Sequence, residues 1–438
     1  MADETNVVLL EKLYSKLADA LAVGTPSAMP GQNYLALCNP GILLEPTLDL
    51  TRVANQATWS AILDNIPEPN WVYAPTNSAT ADAYKDVLEG KELPIVELTD
   101  KQKEQLENAR EVLFDVEGEP SIRYRRYVEY ESKYYTALTA YLTARATSAN
   151  TGASMPPGVE GALNRTSGEW NTFGHRAEVE NAQATINNLQ QLNPNRWWKA
   201  LEDRYSNNTV EGPSGKFHPV TTYPGYPSFM GETGWTSFSF NQADVANQAN
   251  SSAVSAGGGV SASWGLWRVS ASANYSKETS YSSSNATNMV VSMEMMRATL
   301  LRPWLDPLVF RAQAWRFSQA MFPNQLISSG TFIPGQMPAN TLMPLLPTGV
   351  LIARNVSISG TFSHEDQTKI AEAAGGETSV GWGPFAISGH YNQSSSSDVS
   401  HASTTNTSIA NQDAQIIGFF CDVLPMSPNP DPRLHWPS

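Results

Sequence analysis

The sequence predicts an α+β multidomain protein, with an N-terminal α-helical domain followed by a duplicated antiparallel β unit with two long hairpins. Three observations predict this fold. Apolar residues recur at helical spacing through much of the first half. A sequence repeat, offset by 118 residues, fills much of the second half. A Pro- and Gly-rich segment separates the two, so we assign residues 1–212 to a mainly α-helical domain and 213–438 to a β domain.

Helical patterns account for most of the first half. Apolar residues at three- and four-residue spacings predict a helix that ends before Gly24. Further patterns predict helices over about 99–114, 120–147 and 175–192, and a short one from Pro194. An irregular Pro- and Asn-rich segment lies between the helix that ends before Gly24 and the helix predicted over about 99–114. We therefore expect residues 1–205 to form a helical bundle and to contribute no strand to the main β unit.

The repeat is the strongest signal in the chain. One copy begins at Ala256 with AGGGVSASWGLWRVSASANYS, the other at Ala374 with AGGETSVGWGPFAISGHYNQS, and the two align without a gap. Similar flanking segments extend the match to about residues 236–301 and 354–423. A match of this length indicates a duplicated structural unit rather than a short motif. We expect the two segments to adopt the same fold.

Each copy predicts a β-hairpin. Apolar residues alternate with Ser, Gly and Asn, and their parity changes across a two-residue connection that begins with glycine. Glycine provides the positive φ that a tight primed turn requires. Aromatic residues flank both turns. The predicted hairpin tips, which are our candidate membrane-contacting sites, are Trp264, Gly265, Leu266 and Trp267 in the first copy and Trp382, Gly383, Pro384 and Phe385 in the second.

Apolar runs follow both hairpins and predict two core strands. These runs are residues 289–301 and 416–423. Cys38 and Cys421 are far apart in the sequence, and we interpret both as buried free thiols. No pattern typical of an active site or metal site is present: the six histidines form no HExxH or Cys/His pair. We therefore predict a protein that is not an enzyme and has no cofactor or metal.

Charge and composition limit the function further. The net charge of −14 argues against a nucleic-acid partner and against electrostatic docking on anionic lipid. Only 16% of residues are charged, so Ser, Thr, Asn, Gln and Gly must cover much of the surface. The N-terminus shows no Sec signal peptide, and no apolar run is long enough for a transmembrane helix. We expect synthesis as a soluble cytoplasmic protein, with any release by a non-Sec route.

These observations favour a membrane-active, oligomerising β-pore-forming protein that is toxin-like. A transmembrane β-strand needs about 9–11 residues of alternating polarity, and each hairpin arm is close to that length. Two hairpins supply four strands, which cannot close a barrel, so a homo-oligomeric ring in a lipid membrane is expected. On this hypothesis the tip aromatics are exposed or lightly covered before membrane binding.

Two other functions fit the same sequence. The chain could be a self-assembling structural protein of a lattice or tube, with its uncharged β surfaces joining neighbours. It could also be a soluble β-sandwich module that binds a partner without membrane activity, with the tip aromatics in its core.

Overall fold

A computed structural model describes most of the chain. The described residues are 13–14, 16–17, 20–21, 33–94, 100–151, 154, 156–190, 194–241, 266–269, 280–282, 287–362, 364, 368, 379–391, 399–400, 403–404 and 408–437. Within these ranges the structure has mixed α and β content, with eight α-helices and several antiparallel sheets.

Helices occupy much of the first half, as predicted. They are α1 (Val53–Leu63), α2 (Thr80–Gly90), α3 (Asp100–Leu113), α4 (Ile122–Thr151), α5 (Val159–Thr172), α6 (Arg176–Gln190), α7 (Pro194–Asn207) and the single turn α8 (Tyr226–Phe229). Helices α3, α4, α6 and α7 correspond to the four predicted segments after residue 95. The sequence reading missed α1, α2 and α5; α5 contains Gly161 and Gly168, which lower helix propensity.

Helices α3 and α6 enclose a small hydrophobic core, against which Tyr124 and Tyr127 of α4 and Leu308 also pack. Its buried members are Leu106, Ala109, Leu113, Val179, Ala182 and Ile186. Helices α4 and α5 meet around Trp170, whose ring centroid lies 5.3 Å from that of Tyr134. The aromatic face of α4 therefore packs against the neighbouring helix.

The main sheet has eight strands. They are β1 (Asn33–Leu43), β7 (Thr221–Tyr223), β8 (Thr236–Asn241), β11 (Thr287–Leu301), β13 (Leu345–Thr361), β17 (Ser403–Thr404), β18 (Ser408–Asn411) and β19 (Gln415–Val423). Its order is β1-β19-β13-β11-β7, with β8 beside the first part of β11 and β18 beside the last part of β13. The two apolar runs predicted as core strands are confirmed as β11 and β19.

The expectation that the first half contributes no strand to the main sheet is wrong. Strand β1 pairs antiparallel with β19, so that Tyr34 lies opposite Cys421. A register irregularity between Leu37 and Ile42 interrupts β1, and this interruption falls at Asn39-Pro40, which resembled a loop in the sequence. Both cysteines are free and buried, as predicted.

One large hydrophobic cluster joins the two halves. Leu13 and Leu17 near the N-terminus, Trp59 on α1 and Trp198 on α7 belong to the same cluster as the buried side chains of β11, β13 and β19. An ion pair adds to this junction, because Arg302 Nε lies 3.0 Å from Asp64 Oδ1. The main sheet therefore depends on residues from both halves of the sequence.

A second sheet of five strands contains the hairpin regions. It comprises β9 (Leu266–Val269), β10 (Ser280–Ser282), β14 (Ser379–Trp382), β15 (Phe385–His390) and β16 (Val399–Ser400), in the order β10-β9-β14-β15-β16. Three two-stranded sheets complete the fold: β2 (Asn65–Pro67) with β3 (Pro75–Ala79), β4 (Lys91–Glu92) with β12 (Arg316–Phe317), and β5 (Val210–Gly212) with β6 (Gly215–Phe217).

Candidate functional site

The second-copy turn has the geometry that its sequence predicts. Trp382 on β14 pairs with Phe385 on β15, which leaves Gly383 and Pro384 as the two-residue connection. Gly383 has a φ of 53°, a conformation that glycine adopts without strain. Strands β14 and β15 thus form a tight hairpin.

The first-copy turn is described only in part. Trp264 and Gly265 lie outside the described residues. Leu266 and Trp267 are the first two residues of β9, where Leu266 pairs with Ser282 on one side and with Trp382 on the other. The structure therefore brings Leu266 beside the turn of the second copy.

The expectation that the tip aromatics are exposed is wrong for the second copy. Trp382 is 1% exposed and Phe385 is fully buried, and both belong to the main hydrophobic cluster. Their rings are parallel, with centroids 6.4 Å apart. The physical reason is tertiary, because β15 folds back against β1 and the segment that joins β18 to β19. We call β14 and β15 in this position the folded-back hairpin.

Two buried side chains hold the backbone of β15. Gln415 Oε1 accepts a hydrogen bond from the Ala386 N–H at 2.7 Å, and Gln415 Nε2 donates to the Ala386 carbonyl at 3.1 Å. Asn411 Nδ2 donates to the Ile387 carbonyl at 2.7 Å and to Ser400 Oγ at 2.9 Å. These amides satisfy buried backbone groups as a neighbouring strand would.

Asp413 completes this set from the position between them. Its Oδ2 accepts hydrogen bonds from Tyr391 Oη at 2.7 Å and from Ser400 Oγ at 2.6 Å. We call Asn411, Asp413 and Gln415 the anchor residues. The sequence analysis missed them, although their spacing of two residues directly before the strand predicted at 416–423 was a usable signal.

A glycine on β1 makes room for the hairpin turn. A Cβ added at Gly41 would clash with the carbonyl oxygen of Pro384 and would lie 2.8 Å from Gln415 Oε1. Any larger residue at this position would displace the turn or the Gln415 side chain.

The buried position of the hairpin leaves some polar groups unsatisfied. Trp382 Nε1 and Ser388 Oγ are buried without a hydrogen-bond partner among the described residues. An unsatisfied buried donor costs about 1–3 kcal/mol. The indole of Trp382 therefore gains from apolar burial here but leaves its N–H without a partner.

Certain residue pairs of the second sheet match the registers of the main sheet. Thr287 on β11 pairs with Thr361 on β13. Counting eighteen residues back from Thr287 and eighteen forward from Thr361 arrives at Val269 and Ser379, which are a pair between β9 and β14.

The same relation holds for the next pair of strands. Ser359 on β13 pairs with Ser408 on β18. Counting twenty-three residues forward from Ser359 and twenty-three back from Ser408 arrives at Trp382 and Phe385, the pair that closes the hairpin turn. At these positions two strand pairs of the second sheet match the main sheet in register, although the β11–β13 ladder shifts by one residue between Thr287 and Val290 and the β14–β15 ladder shifts by one residue between Val380 and Gly381.

The registers of the two sequence copies also correspond to each other. In the first copy, Val291 on β11 pairs with Phe240 on β8. The residues at the repeat offset are Ile409 and Ile358, and these pair between β18 and β13. All four side chains are buried.

Other chemistry receives little support from the described residues. They contain no group of three or more His, Cys, Asp and Glu residues that could hold a metal ion. None of the helices in these ranges has both the length and the apolar character needed to cross a membrane. The chain has no significant match among protein-family models, curated proteins or solved structures.

Proposed function

We propose that this protein is a membrane-active, oligomerising β-pore-forming protein, toxin-like in action, whose two hairpins insert into lipid. The observation that carries the proposal is the shared register of the two sheets. Strand β14 pairs with β9 and β15 as it would if β11, β13 and β18 were simply extended, whereas β9 and β15 also pair with β10 and β16 of their own arms, and these two pairings would have to open. An unrelated packing of the hairpins would match these registers only by coincidence.

The proposal requires that the sequence repeat is a structural duplication. The equivalent pairing of β8 with β11 and of β13 with β18 supports this. If the β8–β11 ladder continued without a register shift, Trp264 would face Trp267 and the ladder would close at Gly265 and Leu266. That is the turn predicted from the change of parity in the sequence.

Extension of both hairpins would produce four long adjoining strands. Their new arms would be residues 242–264, 267–286, 362–382 and 385–407. Each arm is longer than the roughly 9–11 residues that a transmembrane strand needs. Four strands do not form a closed barrel, so several copies would have to complete a ring.

The first copy has the side-chain pattern of a membrane strand on one arm. One face carries Trp267, Val269, Ala271, Ala273 and Tyr275. The opposite face, apart from Arg268, is formed by Ser and Asn as far as Ser276. Aromatic residues at both ends of a small apolar band are typical of the lipid face of a β-barrel, and the polar face would line the lumen.

The burial of the second tip is compatible with insertion on energetic grounds. Moving Trp382 and Phe385 from a protein core to lipid keeps their apolar surface away from water. At the membrane interface the indole N–H of Trp382 can find the hydrogen-bond partner that it lacks in the folded-back hairpin. New ladder hydrogen bonds would replace those of the anchor residues.

A disulfide that holds the hairpin in place tests this function. Leu43 on β1 and Ala386 on β15 are buried in one small cluster, so the double variant Leu43→Cys/Ala386→Cys should form a disulfide under mild oxidation. We expect the wild type to release dye from phosphatidylcholine vesicles. The oxidised double variant should release little until a reductant is added, whereas Ala386→Cys alone should be insensitive to oxidation.

Two outcomes would contradict the proposal. One is a wild-type protein that releases no dye and stays monomeric with lipid, which would favour a soluble β-sandwich binding module. The full burial of Phe385 supports that alternative. The other is equal release by the oxidised double variant and the wild type. Filaments formed without lipid would favour a structural protein of a lattice or tube.

A further inference from the structure

The edge strand β8 is the surface at which we propose that a second copy of this chain binds, through strand β18 of that copy. We expect this contact to have the same register as the pairing of β11 with β13 inside one chain. This inference rests on the proposed function and specifies the interface of the assembled ring.

Strand β8 lies at an edge of the main sheet. It pairs with β11 on one side, and among the described residues no strand pairs with it on the other. The last part of β13 is its counterpart in the second copy, and that part is paired on both sides, with β11 and with β18. The position next to β8 is therefore filled in one copy of the repeat and open in the other.

The sequence of β8 lacks the features that block edge pairing. Exposed edge strands commonly carry lysine, proline or an inward-pointing charge, which prevent another strand from adding to the sheet. Strand β8 reads TSFSFN and β18 reads SIAN, without a charged residue or a proline in either. Neither strand therefore carries a residue type that would prevent a further strand from pairing with it.

The internal junction predicts the register between copies. Within one chain, Ser292 on β11 pairs with Ser357 on β13. At the repeat offset, Ser292 corresponds to Ala410 on β18, and Ser357 corresponds to Ser239 on β8. A ring built by repeating this junction would therefore place Ala410 of one copy opposite Ser239 of the next.

The buried and exposed faces agree with this register. It would place Ile409 of one copy opposite Phe240 of the next, and both residues are buried, with 3% and 0% exposure. The corresponding internal pair, Val291 and Ile358, is buried as well. Ser239 is exposed in the free chain, so the polar sides of the two strands would also coincide.

One short strand must leave before this contact forms. Strand β17 has two residues, Ser403 and Thr404, and it pairs with Ala410 and Ile409 on β18. It belongs to the arm that would straighten when the second hairpin extends. Release of the hairpin would therefore uncover β18, which links assembly to insertion and leaves the chain monomeric in solution.

Cysteine cross-linking tests the contact on full-length protein. The double variant Ser239→Cys/Ala410→Cys, bound to phosphatidylcholine vesicles and oxidised, should form covalent oligomers between chains. The variant Ser292→Cys/Ser357→Cys should form a disulfide within one chain and no covalent oligomers. This control shows that two cysteines placed opposite each other in this register can form a disulfide. Ser237→Cys/Ala410→Cys is displaced by two residues and should cross-link at least about five-fold less, because diagonal neighbours lie about 7–8 Å apart.

The outcomes separate this inference from the function on which it rests. Wild-type protein that forms rings and releases dye, combined with a Ser239→Cys/Ala410→Cys variant that gives no covalent oligomers, would overturn the interface alone. Equal cross-linking of the displaced pair would overturn the register. Wild-type protein that neither assembles nor releases dye would overturn the function and the interface together.

Discussion

The two copies of the repeat share a strand register but differ at three positions beside the second hairpin. In the second copy these positions are the anchor residues Asn411, Asp413 and Gln415. At the repeat offset the first copy has Met293, Met295 and Arg297. The two methionines are buried in the main core, whereas the anchor residues bind the backbone and side chains of the folded-back hairpin.

This difference shows that register and hairpin position have separate causes. The register follows from alternating apolar residues that both copies retain. The position of the second hairpin is held in part by polar groups that only the second copy has. On the proposed function, changes at the anchor residues should alter how readily the hairpin leaves while the main sheet remains intact.

The largest effect is expected from removing the second tip aromatic. Trp382→Ser should lower the free energy of unfolding by about 3–5 kcal/mol, because it leaves a cavity in the main core. Trp382→Phe keeps most of the packing and removes the unsatisfied N–H, so its effect should stay within about 1 kcal/mol. Urea unfolding curves measure both changes. A loss below about 1 kcal/mol for Trp382→Ser would show that the packing of Trp382 contributes little to the stability of the fold.

A substitution that copies the first repeat should loosen the second hairpin. Asn411→Met introduces the residue found at the equivalent position and removes the bonds to the Ile387 carbonyl and Ser400 Oγ. We expect the free energy of unfolding to fall by about 1–3 kcal/mol and hydrogen exchange at residues 385–390 to accelerate. Gln412→Met changes the exposed neighbour and should leave exchange unaltered. Unaltered exchange in Asn411→Met would mean that Asn411 does not hold the hairpin.

Steric pressure on the turn should give an effect of similar or smaller size. Gly41→Ala places a methyl group against the Pro384 carbonyl, and we expect a loss of about 1–3 kcal/mol in the free energy of unfolding. Gly161→Ala on α5 is the matched control, because an added Cβ there meets nothing within 4 Å. That control should be neutral or stabilising by up to about 1 kcal/mol. Equal values for the two variants would argue against close contact at the turn.

The smallest expected effect is a change of stability with pH. It arises around Arg297, which is the first-copy counterpart of Gln415. Arg297 is half-buried between α4 and the sheet, over the rings of Tyr135 and Phe420 and near Glu131 and Asp422. Burial raises the pKa of the Glu131 carboxyl to about 7, against the opposing attraction of Arg297, and burial also raises the pKa of Asp422. A raised folded-state pKa means that the folded protein binds the proton more tightly than the unfolded chain, so the contribution of these carboxyls to stability is greatest at low pH and is lost as pH rises through their folded-state pKa.

We therefore expect the free energy of unfolding to fall by about 1 kcal/mol as pH rises from about 5 to about 7. The change should be smaller in Glu131→Gln, which cannot titrate at this site. Glu129→Gln, two residues away on the same helix, should retain the wild-type slope. Identical slopes in all three proteins would exclude Glu131 as the source.

Local patterns in the sequence predicted much of the secondary structure. The parity change around Gly383-Pro384 indicated the turn between β14 and β15, and apolar runs indicated β11 and β19. The helix predicted over about 120–147 corresponds to α4. Strand β1 was missed, because its apolar run is short and is interrupted at Asn39-Pro40 within a Pro- and Asn-rich segment.

The sequence by itself determined which residues alternate, where the second-copy chain turns, and how the two copies align. Each of these depends on neighbours within a few residues, whose spacing sets which side chains share a face. Only the tertiary structure decided that Trp382 and Phe385 are buried. Their burial depends on Gly41 and Gln415, which are distant in the sequence, and no local pattern indicates which remote surface will cover a hairpin.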